Sequence, residues 1–71
     1  GLVSVFFAAP LNAASTVKVH DLSGREVLSR QLEEDVHASG TDLDVSHLLT
    51  GIYFVTVQTP TSIATQRLVL Q

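Results

Sequence analysis

Apolar residues in this chain recur at every second position, in short runs separated by turn-forming residues, and no stretch carries them at helical spacing. Successive side chains of a strand leave opposite faces, so this period describes strands with one covered face. Such strands bury their apolar face only by stacking sheet on sheet. In Thr16 to His20, Val17 and Val19 point one way while Thr16, Lys18 and His20 point to a wet face. Asp21-Leu22-Ser23-Gly24 is the turn that follows. Asp and Ser bond the local backbone there, and Gly24 takes a positive φ without steric cost, which folds Arg25 to Leu32 back as the second arm of a hairpin.

The alternation continues through the rest of the chain. Leu2 to Ala8 is a first strand, broken by Pro10-Leu11-Asn12, where proline removes a donor. Glu33-Glu34-Asp35 and Ala38-Ser39-Gly40 mark a surface loop. Thr41 to Val45 sends Leu43 and Val45 to the core and Asp42 and Asp44 to solvent, after which Ser46 is expected to cap one helical turn through His47-Leu48-Leu49, ended by Gly51. Ile52 to Gln58 holds the β-branched and aromatic residues that suit a pleated, half-buried surface, and is expected to be central. Tyr53 shares a face with Val55 and Val57, so its ring belongs in the core with its hydroxyl on a backbone acceptor, while Ile52 and Phe54 face the other way. Thr59-Pro60-Thr61-Ser62 turns the chain into Ile63 to Leu70. These runs predict an all-β fold, an immunoglobulin-like antiparallel β-sandwich of about six to seven strands.

A chain of 71 residues is one domain, residues 1–71. Four Lys and Arg against seven Asp and Glu give a net charge of -3 and no basic patch to neutralise phosphates, which excludes a nucleic-acid partner. Without cysteine, stability rests on packing and strand pairing. Only Gly1 precedes the apolar opening here, so it is expected to be a strand rather than a signal peptide, and it is too short to span a bilayer, so no direct membrane insertion is expected.

No catalytic, cofactor-binding or metal site is expected. His20, His37 and His47 lie in three different contexts and never at the i, i+2 or i, i+4 spacing that converges on a metal. Asp42 and Asp44 lack the tight oxygen-rich loop that calcium requires, and suit a solvated strand face. The many Ser and Thr residues fall in turns or on exposed faces without a nucleophile elbow. Gly24 lacks the neighbouring glycines of a phosphate loop.

Three blocks carry a resemblance. Asp21-Leu22-Ser23-Gly24-Arg25-Glu26-Val27, Leu48-Leu49-Thr50-Gly51-Ile52-Tyr53-Phe54-Val55-Thr56-Val57 and Arg67-Leu68-Val69-Leu70-Gln71 stand in order and at suitable spacing. They resemble the D-L-S-G-R-x-V block, the L-x-x-G-x-Y-x-V-x-V block and the basic-aliphatic terminus of the type A C-terminal sorting domain of type IX secretion substrates. Position 67 is Arg where that family more often has Lys, which keeps the charge. The resemblance marks Asp21, Gly24, Arg25, Gly51, Tyr53, Arg67, Leu68, Val69 and Leu70 as motif residues. The family's N-P-x-x-G opening has no match, Ala9-Pro10-Leu11-Asn12 not filling its place. That segment is expected either upstream of residue 1 or lost from this member, leaving one strand of the usual set missing.

What the resemblance implies is a non-catalytic tail on secreted or surface proteins of Bacteroidota. Its partners would be an N-terminal cargo domain of the same precursor, the type IX translocon with its shuttle proteins, and a cell-surface sortase-like peptidase. That peptidase would remove the domain and link the cargo to an anionic lipopolysaccharide. The route would run through the periplasm to the cell surface or the extracellular medium. The alternative is an accessory β-sandwich that binds carbohydrate or acts as a spacer in a secreted protein. Sugar-binding sandwiches display coplanar aromatics, whereas this chain has one Tyr, three Phe and no Trp.

Overall fold

The computed structural model describes residues 1–7, 13–34 and 40–71. Six strands carry the chain: β1 (Leu2–Phe6), β2 (Ser15–Asp21), β3 (Glu26–Leu32), β4 (Gly40–Asp44), β5 (Gly51–Gln58) and β6 (Ile63–Leu70). They form a four-stranded sheet in the order β3-β2-β5-β6 and a two-stranded sheet of β1 and β4, antiparallel throughout. The expected all-β sandwich is what forms, with β5 in the interior of the larger sheet.

Alternation decides the packing. Val17 and Val19 of β2 are fully buried, and they meet Tyr53 and Val55 of β5 and Leu43 and Val45 from the end of β4 in one cluster between the sheets. Val3, Val5, Leu28, Val57, Leu68 and Leu70 are half-buried around it. Burying each aliphatic side chain of this kind stabilises the fold by about 1.5 to 3 kcal/mol relative to leaving it in water. The wet face of β2 also forms as expected, with Thr16, Lys18 and His20 half-exposed and Lys18 3.6 Å from the Glu26 carboxylate of β3.

The register along β2 and β3 slips between Val19 and His20, a bulge that brings Glu26 opposite His20. Arg30 lies opposite Val17 and so on the inner face of the edge strand β3. Its Nη1 reaches across the sandwich and donates to the Asp42 carbonyl of β4 at 2.6 Å, tying the two sheets together.

Two expectations need correction. No helical turn follows Val45. The Asp44 carboxylate accepts from the Ser46 amide at 3.0 Å and its hydroxyl at 2.6 Å, and the Leu48 amide donates to the Val45 carbonyl at 3.0 Å, so residues 45–48 form a tight turn. Ser46 is held by an aspartate instead of capping a helix, because an Asx turn satisfies the same backbone group locally. The first strand also ends at Phe6, with Phe7 outside it, while Ala8 of the expected Leu2 to Ala8 lies outside the described residues. Pro10-Leu11-Asn12, His37 and most of the loop before β4 lie outside the described residues.

Candidate recognition surface

Residues of the three sequence blocks converge at one end of the larger sheet. Asp21 of β2 is the register partner of Tyr53 of β5, and Tyr53 in turn is the partner of Leu68 of β6. Gly51 pairs with Leu70 and Ile52 with Val69 in the rows beyond. Blocks far apart in sequence thus lie on neighbouring strands, which only the β2-β5-β6 order makes visible.

The Asp21 hairpin is built around one carboxylate. Asp21 Oδ1 accepts from the Ser23 amide at 3.0 Å, the Ser23 hydroxyl at 2.6 Å and the Arg25 amide at 3.0 Å, while Oδ2 accepts from Arg25 Nε at 3.2 Å. The Gly24 amide donates to the Asp21 carbonyl at 3.0 Å, and Gly24 has the φ of 88° that the reversal requires. A turn followed by one left-handed glycine is a standard three-residue hairpin loop, and it explains why D-x-S-G stands there. The Ser23 hydroxyl bond, reinforced by the Arg25 and Ser23 amides and the Arg25 charge, holds the Asp21 carboxyl below its ordinary value. Asp44, bonded in the same way by Ser46, is lowered for the same reason.

Tyr53 anchors the second block from inside. Its ring is buried as expected, and its hydroxyl donates to the Leu49 carbonyl at 2.7 Å, which fastens the 45–51 connection to β5. The geometry is similar to the tyrosine corner of Greek-key sandwiches, where a strand-start Tyr bonds the backbone a few residues upstream. Gly51 precedes it with a φ of 150° and open space around its α-carbon.

The third block is two-faced. Leu68 and Leu70 pack against the core, whereas Arg67 and Val69 stand on the outer face. Arg67 lies opposite Phe54, and Phe54 opposite His20, so a row of Glu26, His20, Phe54 and Arg67 crosses all four strands. Beside it, exposed Ile52 and Val69 form an apolar pair. The row and the pair escape sequence reading, because neither has a motif and both depend on register. Arg30 escaped it for the same reason.

The other candidate groups stay dispersed. His20 is on β2 and His47 in the turn after β4, and among the described residues no three His, Cys, Asp or Glu side chains converge. Asp42 accepts from the Ser4 hydroxyl at 2.7 Å.

A family model described as a secretion system C-terminal sorting domain matches residues 2–71. No curated protein matches the chain.

Proposed function

The chain belongs to the type IX secretion system C-terminal sorting domain family, and on that premise we propose that it works as a folded address read by the outer-membrane translocon. The family is in general non-catalytic, and its role is to direct export to the cell surface or beyond. In this reading the domain folds in the periplasm, is engaged by the translocon and its shuttle proteins, and carries an N-terminal cargo outward. A surface sortase-like peptidase then removes it, and the cargo is released or attached to the cell surface. The chemistry belongs to those partners. The domain contributes binding.

The observation that carries the proposal is the convergence of the motif blocks on β2, β5 and β6, with Asp21, Gly24 and Arg25 at the hairpin, Gly51 and Tyr53 on β5, and Arg67 to Leu70 on β6. Tyr53, Leu68 and Leu70 serve the fold, so the address falls to what remains outside: Arg67, Val69 and the exposed strand around them. The accessory-module alternative needs an aromatic displayed for stacking on a sugar. Tyr53 is buried, Phe54 is half-buried on β5, and the exposed Phe6 stands on β1 of the other sheet, so these rings form no coplanar stacking platform, which favours the sorting reading.

Charge reversal separates address from stability. Arg67 is exposed, and such a substitution changes stability by no more than about 0.5 kcal/mol. In a fusion of signal peptide, passive reporter and this chain, Arg67→Glu is expected to melt like the parent yet leave the reporter in the periplasm. Export as efficient as the parent's would remove Arg67 from the address.

A further inference from the structure

We propose that the free edge of β6 is a docking edge that takes up an extended segment of a partner as an added strand, and that this segment carries a carboxylate side chain opposite Arg67. The inference rests on the sorting reading for the identity of the donor as a component of the secretion machinery.

An edge strand presents every second residue's N–H and C=O to solvent, and proteins usually blunt such edges with bulges, prolines, short length or inward charges. The two edges of the larger sheet differ in this respect. β3 is blunted, since its register is broken by the bulge and Arg30, an inward charge, is drawn across to β4. β6 pairs with β5 over eight uninterrupted positions, Gly51↔Leu70 to Gln58↔Ile63. It contains no proline, and its inner face of Ala64, Gln66, Leu68 and Leu70 has no charge. β1 and β4 are only five residues each, and β4 itself carries Asp42 and Asp44. Of these strands, β6 is the long one without a bulge, and its outer edge is unpaired among the described residues.

Charge selects the occupant. All seven acidic residues lie between Asp21 and Asp44, and from Val45 to Gln71 Arg67 is the only Lys or Arg, with no acid. Arg30 is engaged with a carbonyl, and Lys18 and Arg25 have carboxylate partners. Arg67 has no ion pair or hydrogen bond among the described residues. On the outer face it is flanked two positions away by Val69 and Thr65, and Ile63 lies beyond. Residues directly opposite on neighbouring strands interact by charge and by apolar contact. The fitting segment therefore has an acid opposite Arg67, an apolar side chain opposite Val69 and a β-branched one opposite Thr65, its backbone completing the ladder as in other strand-addition complexes.

The test uses the 71-residue chain and an end-blocked peptide, Thr-Val-Thr-Glu-Thr-Val-Thr, read by amide hydrogen exchange and chemical shifts. Alternate β6 amides are expected to exchange freely in the chain alone and to become protected with peptide, while β3 amides do not change. Replacing the peptide's Glu by Lys should weaken binding about tenfold, the size expected when an attractive cross-strand charge pair becomes repulsive. Arg67→Glu should invert that preference. Absence of β6 protection at millimolar peptide, equal binding of the Glu and Lys peptides, or concentration-dependent β6 protection without peptide would overturn the proposal, the last in favour of pairing between copies. Failure here leaves reporter export by the intact chain untouched, whereas loss of that export would strike the sorting reading and leave the edge as measured.

Discussion

At the scale of single residues, Tyr53 does two jobs that substitution can separate. Tyr53→Phe keeps the ring and removes the bond to the Leu49 carbonyl, so it should cost about 1 kcal/mol. Tyr53→Ala also empties the core position beside Val19 and Val55, and should cost about 3 to 5 kcal/mol, enough to unfold a domain this small. Urea denaturation of both variants measures the difference, and equal losses would mean that the ring contributes nothing to the core. Gly51 is the backbone counterpart. Its φ of 150° lies where side chains are strained, although nothing crowds the α-carbon. Gly51→Val should therefore lower stability by about 1 to 3 kcal/mol through strain alone, seen as a lowered melting temperature.

At the scale of elements, the two Asx turns join strands through ionised aspartates. Asp21 and Asp44 both titrate below the ordinary 3.8 in the folded chain. A carboxyl depressed on folding stabilises the fold above its unfolded pKa, and that contribution is lost as pH falls through the folded value. Stability should be flat near neutrality and decline from about pH 4 downward. The double variant Asp21→Asn with Asp44→Asn should be less stable at pH 7 and show a shallower decline in acid, measured as urea midpoint against pH. These turns also mark how far sequence reading reaches. Asp21-Leu22-Ser23-Gly24 was legible because glycine flags the left-handed residue, and the start of β6 was legible because the turn residues Thr59-Pro60-Thr61-Ser62 precede Ile63. Asp44-Val45-Ser46 repeats the same aspartate-to-serine bond without a glycine beside it, and so resembled a helix cap. The pairing of β1 with β4, the Arg30 tie and the row ending at Arg67 depend on which strands become neighbours, a tertiary fact that local periodicity does not encode.

At the scale of the whole molecule, fold and proposed address share the same strands. The inner residues of β5 and β6 close the sandwich, while among the described residues the outer edge of β6 has no paired strand. As an address, this folded chain should by itself suffice for type IX export. The direct measurement is the location of a passive reporter placed between a signal peptide and this chain, in a bacterium with a working type IX system and in a sibling strain lacking the translocon. Reporter is expected at the surface or in the medium of the first strain and in the periplasm of the second. Reporter held in the periplasm of both, with the chain shown to be folded, would contradict it.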